Sequence, residues 1–460
     1  MKIVDLEWNA TFTSEAARYI VGAKWIDMSN SAQNRAKDLL IDLLGCQIAG
    51  SQLSASEIAR KWVGIQYPGS EAGIWPGTQR ATLVGAVFAN SLAANALDLD
   101  DGYRPVKGHP GACVIPTALA TAESMNATGV DLLTAVIVGY EVGLRAGRVL
   151  HASYNDYHCS GSWGAIAAAA TASHLLRLDE QSTDTALGIA EYYAPTGLMM
   201  RCIKDPSMIK DGIPWGAMTG VSSTFLAQAG LTGSPHLLHP SAELGYKGET
   251  EKSVLPTLGE GYLIEDVYIK PHACCRWAQP AVEGILAVRE EAMKQSTDVI
   301  EILVETFHEA TTIHVKHPKT TEEAQYSLPW AVASAFLYGK VGADEVGNSA
   351  LHVQMTNNMA DCVQMISVTE FDAEFPQKTK ARVKLKFQDG TSIVSGIYEP
   401  RGEPHVRPFT TEDIRSKFIE LTSPVMGDVR SAELLVTLET IESLGELSPL
   451  WGMLSEISRK

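Results

Sequence analysis

The segment Ala96–Pro116, ALDLDDGYRPVKGHPGACVIP, brings three carboxylates and a histidine together around a short loop containing Gly and Pro. An apolar helix ends in Asp98, Asp100 and Asp101, and His109 stands just ahead of a new helix expected from Pro116. A carboxylate beside an imidazole raises its proton affinity toward the range that suits acid–base work. The alternative is that the aspartates form only a solvated turn. His158 lies at a second polar entry to an apolar helix, Asp156–Gly164, placed either to move protons or to cap the helix at the surface. Lys210, in SMIKDGIPWG, and Lys270 and Arg276, in YIKPHACCRW, sit beside turns within apolar stretches. Cations so placed are candidate anchors for a substrate carboxylate.

Other chemistries find no support in the sequence. It has no Walker phosphate loop, no GxGxxG after a strand, no HExxH and no GxSxG. Asp98–Gly102 superficially resembles a calcium loop, but its glycine comes one position early and His109 stands where the closing Glu belongs. His314 and His317 would point to opposite faces if they lay in a strand, so no metal site is expected. The seven cysteines are odd in number and include no CxxC pair, which argues against a disulfide framework or a zinc knuckle.

These residues must be positioned by a long helical frame. Ala36–Ile48 carries Ala36, Leu39, Leu40, Leu43 and Leu44 at helical spacing. Similar patterns cover Ala81–Leu97, Pro116–Ser124, Asp131–Val149, Trp163–Leu176 and Trp215–Ala229, several rich in Ala and Gly as inner helices of a large bundle would be. After Ile264 the texture changes. Asp298–Val315 is β-branched and reads as a strand, and Lys380–Phe387 and Ser392–Tyr398 flank Asp389-Gly390 as a hairpin. Helical patterns return at Thr411–Leu421 and Ser431–Ser443, beyond an apparent linker at Glu399–Pro404. The expected class is mainly α with an α+β insertion. A discontinuous helical domain (1–266 and 404–460) would be interrupted by a smaller α/β lid domain (267–403).

Together these segments resemble the MmgE/PrpD family. The resemblance rests on Lys37–Gly45, the DLDD…HPG…IP block, His158, Met208-Ile-Lys210, Lys270–Arg276 and Gln325-Tyr326-Ser327-Leu-Pro-Trp330, in family order. It implies a cofactor-independent enzyme, usually a homodimer, acting on small polycarboxylates at a site between the two domains. Carried over by motif, the catalytic set is Asp98, His109, His158, Lys210 and Lys270, with Arg276, Cys275, Tyr326 and Trp330 lining the substrate. Cys275 stands where the family's decarboxylases have a histidine, and Trp330 where they have a tyrosine. The favoured reading is therefore a hydro-lyase of the 2-methylcitrate dehydratase type, acting on a di- or tricarboxylate. Epimerisation by proton removal and return, cis-aconitate decarboxylation and a non-catalytic scaffold are the alternatives.

Charge bears on the same question. The 460 residues carry 37 Lys and Arg against 54 Asp and Glu, a net −17, which excludes the basic surface that nucleic-acid binding needs. The N-terminal sequence lacks a signal-peptide pattern and no apolar run spans a bilayer, so a cytoplasmic protein without membrane contact is expected. On so acidic a body, a polyanionic substrate requires a basic cleft.

Overall fold

The computed structural model describes residues 12–153, 156–234 and 257–456. Among the described residues, ten α-helices come first: α1 (Phe12–Gly22), α2 (Asn30–Gly50), α3 (Ser54–Gln66), α4 (Leu83–Asn95), α5 (Gly111–Met125), α6 (Gly129–Ser153), α7 (Ser160–Leu175), α8 (Glu180–Tyr193), α9 (Met199–Lys204) and α10 (Ile213–Gln228). Their starts follow capping chemistry where the sequence supplies it. Ser29 accepts from Ala32 N at 3.1 Å to open α2, and Thr82 accepts from Gly85 N at 3.3 Å to open α4.

Helix α7 is the inner helix that its Ala/Gly content predicts, with every residue from Ser160 to Ser173 buried. Small residues bring α10 close against it. A Cβ on Gly220 would meet the Ala165 carbonyl at 2.3 Å, and one on Gly216 would meet the Gly161 carbonyl at 2.4 Å.

The sheet-bearing part follows: α11 (Gln279–Ala292), β1 (Val299–Thr306), α12 (Thr321–Gln325), α13 (Leu328–Tyr338), β2 (Val363–Ser367), β3 (Ala381–Phe387) and β4 (Ser392–Val394). The strand order is β2-β1-β3-β4. β1 runs parallel to β2, with Ile302 opposite Val363, and antiparallel to β3, with Val304 opposite Val383. On β3, Ala381, Val383, Leu385 and Phe387 are buried, while Lys384 and Lys386 are exposed. The chain then returns to the helical part through α14 (Thr411–Met426) and α15 (Asp428–Glu439). The protein is thus mainly helical with a smaller α/β part.

Two expectations shift. The strand read over Asp298–Val315 ends at Thr306, whose hydroxyl donates to Lys380 O at 3.0 Å. There Asp372 accepts from His308 N at 2.6 Å and a turn of helix, His308–Thr311, follows, so the β-branched run beyond is not strand. His314 and His317 therefore lie outside any strand. Both are exposed, and His317 contacts Asp361 at 2.9 Å. Helix α5 begins at Gly111 rather than Pro116, because Asp101 Oδ1 accepts from Gly111 N at 2.9 Å and caps the helix from across the loop.

Apolar packing forms two large clusters. One joins the helical frame with Phe418, Leu434 and Leu438 of the returning chain. The other fills the space around the sheet with Val282, Ile302, Trp330 and Leu385, and reaches across to Leu97, Leu99, Met199 and Ile203. Leu97 and Leu99 flank Asp98, so the carboxylate loop sits on the seam between the two clusters.

Candidate active site

A cleft of about 500 Å³ opens along that seam. Asp98, Arg104, Lys107, His109 and Tyr157 line it from the helical part, and Cys275, Arg276, Trp277, Tyr326 and Phe375 from the sheet-bearing part.

The loop after α4 is tied down at several points. Gly102 and Tyr268 exchange backbone hydrogen bonds at 3.0 and 2.7 Å, which brings Lys270, two residues further on, against the loop. The buried Lys270 ammonium lies 3.1 Å from Asp98 Oδ2, and His109 Nε2 lies 3.5 Å from Asp98 Oδ1. Burial alone would raise the Asp98 carboxyl. Lys270, Lys210 and His109, with a hydrogen bond from Lys270, more than offset this and hold it below the usual carboxylate range. Asp98 is thus an ionised carboxylate only 2% exposed.

The tautomer of His109 follows from its partner. Nδ1 lies 2.7 Å from the Asp101 carbonyl, which can only accept, so Nδ1 carries the proton. In the neutral ring Nε2 is then a bare acceptor facing Asp98. A proton taken there leaves a positive ring between Asp98 and Asp100, whose Oδ2 is 3.4 Å from Nδ1.

Each of the three aspartates has its own task. Asp100 accepts from the Asn95 amide at 2.9 and 3.1 Å. Asp101 caps α5 and accepts from the Tyr140 hydroxyl, and burial pushes its carboxyl up to about 7. These aspartates form a buried network, not a solvated turn. Asp98, Asp100 and His109 also bring one ligand-type atom each within 4.8 Å of the others, which the sequence did not suggest. Lys270 and Asn95 already compensate the carboxylates, so the group fits a proton-transfer site better than an open metal cage.

Lys210 approaches from beyond α9. Its ammonium donates to Gln325 Oε1 at 2.5 Å and lies 5.8 Å from the centre of the Tyr326 ring, while Gln325 Nε2 donates to Ala96 O at 2.9 Å. Asp98 (φ 51°), Lys107 (φ 52°) and Lys210 (φ 52°) all adopt left-handed backbone. Such conformations cost on the order of 1 kcal/mol each for non-glycine residues, and strain of this kind clusters where geometry is functional.

The remaining sequence candidates fall in different places. Cys275, Arg276 and Tyr326 line the cleft. Burial pushes the Cys275 thiol up to about 12, so it is a neutral wall group. His158 is not among the cleft-lining residues; its Nδ1 lies 2.9 Å from Asp156 O and its ring 6.4 Å from that of His151. Trp330 is fully buried in the cluster around the sheet, its Nε1 donating to Glu345 O at 2.9 Å, and does not reach the cleft.

Several positions that contact the candidate residues escaped sequence reasoning. Asp211 adjoins Lys210 and accepts from the Ser160 hydroxyl, while Ser160 Oγ accepts from His109 N at 2.9 Å. Burial pushes the Asp211 carboxyl up to about 6, with His109 and Ser160 pulling it back. Glu403 lies in the stretch read as a linker, yet it accepts from both Arg104 and Arg276 at 2.5 Å. Its only local sign is the preceding Gly402 (φ 95°), where a Cβ would meet Ile269 O at 1.8 Å. Gly402→Ala is expected to lower stability by more than about 1 kcal/mol, read from urea unfolding. Unchanged unfolding would contradict this tight placement.

The expected basic cleft is present only in part. Lys107, Arg104 and Arg276 line it, but Glu403 pairs with both arginines and cancels one of their two charges, and Asp98 and Glu309 add negative charge.

Comparison with known proteins places the chain in a family. The MmgE/PrpD N-terminal domain matches residues 14–247 and the MmgE/PrpD C-terminal domain residues 272–442. The chain is 25% identical to the cis-aconitate decarboxylase of Aspergillus terreus, covering 96% of each chain. It is 24% identical to the cis-aconitate decarboxylase-like protein oryM of Aspergillus oryzae over 99% of each, and 24% identical to the human cis-aconitate decarboxylase over 96% of this chain and 94% of that one. With family models matching both halves, this chain belongs to the MmgE/PrpD family.

Proposed function

We propose that the protein is a lyase acting on a small di- or tricarboxylate, and that the cleft handles a proton at a carbon next to a carboxylate. The observation that supports this most is the His109–Asp98–Lys270 chain: a bare Nε2 at the cleft, an ionised carboxylate beside it and a buried ammonium behind that carboxylate. Nε2 takes the proton, and Asp98 with Asp100 stabilises the positive ring that results. Lys107 in the lining, with Lys210 buried beside Tyr326, offsets the negative charge that builds on the substrate carboxylate as the carbanion forms. The α/β unit at 267–403 supplies the opposite wall, which orients the substrate and excludes water.

Loss of a β-hydroxyl from the carbanion gives dehydration, and return of the proton gives epimerisation. A protonated His109 can also deliver a proton to the carbanion left by decarboxylation, a second reading favoured by the names of the relatives. Incubating the full chain with citrate, 2-methylcitrate, cis-aconitate and an iminodicarboxylate, followed by product NMR, separates these reactions. Loss of water or of CO2 from at least one compound is the expected result. Bare epimerisation would move the assignment out of the lyases, and no turnover of any would count against it.

A homodimer is part of the same proposal. Exposed Ile58, Ile209 and Trp215 line an apolar surface groove with Trp62 and Phe88, the kind of patch that marks an association surface. Light scattering is expected to give twice the 49.6 kDa chain mass, and a monomer mass would refute it. Among the described residues, no helix is long and apolar enough to cross a membrane.

A further inference from the structure

The cleft's two arginines and its apolar wall stand side by side. Arg104 donates to Pro376 O at 3.2 Å as well as to Glu403, which places the Arg104–Glu403–Arg276 cluster against Phe375-Pro376. Arg276 is held further by Gln279 at 2.9 Å and by the Tyr268 ring, whose centre is 4.1 Å away. Glu403 holds the Nη2 of both guanidiniums, so a substrate carboxylate must compete with it for that edge of each. Burial alone would raise the Glu403 carboxyl, but Arg276 and Arg104 keep it below the usual range, so it stays an anion.

Next to this ion-paired cluster the lining turns apolar. Phe375 stacks on Phe307 at 4.7 Å, and Trp277 sits edge-on to both. Met199, Met200 and Ile203 of α9 line the same cleft and join the same apolar cluster. Methionines and aromatics of this kind accept flexible hydrocarbon, and a bare carboxylate against them would lose hydration without a partner. The volume, about 500 Å³, is that of sites for drug-sized ligands.

We infer that the substrate is a carboxylate with an apolar arm, which packs against Met200, Trp277 and Phe375. Glu403 is the specificity-determining residue that holds Arg104 and Arg276 away from a further carboxylate. The inference rests on the carboxylate reading proposed above and narrows it. A further carboxylate that entered there would have to displace Glu403 from the two guanidiniums, so selectivity comes from that competition as well as from the wall.

Calorimetric titration of the full chain with succinate, 2-methyl-, 2-butyl- and 2-hexylsuccinate, tricarballylate and the diamide of 2-hexylsuccinate tests this. Kd is expected to fall about three- to fourfold per added methylene until the wall is filled. Tricarballylate should bind more weakly than butylsuccinate, and Glu403→Gln should tighten tricarballylate at least tenfold. Equal affinity for succinate and hexylsuccinate, or tricarballylate as the tightest ligand, would overturn the arm and leave the carboxylate reading standing. A diamide that bound as well as its dicarboxylate would instead overturn the carboxylate reading. Unchanged tricarballylate binding by Glu403→Gln would remove Glu403 from its assigned role. The chain-length series uses the unmodified protein, so it decides the arm even if the variant does not fold.

Discussion

Asp98→Asn is expected to lower turnover about a hundred- to ten-thousand-fold, the usual range for losing a positioned proton-transfer group. The substitution keeps the side-chain shape and removes the charge that faces His109 Nε2 at 3.5 Å and Lys270 at 3.1 Å. It also leaves the Lys270 ammonium buried opposite a neutral amide. Breaking a buried pair from one side costs about 3–5 kcal/mol, so the variant should unfold at lower urea as well. The two readouts separate its roles. A Lys270→Met, Asp98→Asn double variant should regain much of the stability and none of the turnover. The wild-type pH dependence follows from the same carboxyl. Its folded pKa is depressed, so its stabilising contribution is complete above the unfolded value, about 4, and is lost as pH falls through the lower folded value.

The second large effect lies behind the loop. Lys417 of α14 is 2.7 Å from Asp42 of α2 and donates to Leu99 O at 3.0 Å, the carbonyl next to Asp98. Cys46 Sγ approaches the same carbonyl at 3.4 Å. Lys417→Met is expected to destabilise by about 3–5 kcal/mol, because Asp42 is left buried with its charge and Leu99 O loses its donor. Adding Asp42→Leu should recover most of that loss, since replacing a buried pair with apolar groups is often close to neutral. Burial pushes Asp42 up and acts to lower Lys417, but Asp42 in turn holds Lys417 above its usual value, and the 2.7 Å contact favours the ion pair. The folded lysine is raised, so its contribution is full below the unfolded value near 10.4 and fades as pH rises through the folded one. A Lys417→Met chain with unchanged urea midpoint would show that the returning helix does not brace the loop.

The sequence was most legible where local chemistry and tertiary role coincide. Helical periodicity located α2, α6, α7 and α10, and the Asp389-Gly390 turn located the β3–β4 hairpin. The loop from Asp98 to His109 could be read as chemistry because its polar residues interrupt apolar helices. What was not legible depends on distance along the chain. Nothing local to Asp101 says that it caps α5, nothing near Glu403 names Arg104, and the Asn95 amide on Asp100 emerges only when the helix end folds back. The over-long strand at Asp298–Val315 has the opposite cause. β-branched residues past Thr306 carry strand propensity, but Asp372 captures the His308 amide and turns the chain. Trp330 shows the limit of reading by motif: it lies near Tyr326 in sequence, yet its side chain fills the cluster around the sheet while Tyr326 faces the cleft.

In the proposed chemistry His109 Nε2, poised by Asp98 and Lys270, exchanges a proton with a carbon beside a substrate carboxylate. Incubation in D2O with the polycarboxylate that turns over, followed by proton NMR, tests it most directly. Deuterium is expected at a carbon adjacent to a carboxylate of substrate or product with the wild-type chain, with near-complete loss of that signal for folded Asp98→Asn. Equal deuterium incorporation by both proteins, or turnover with none by the wild type, would contradict it.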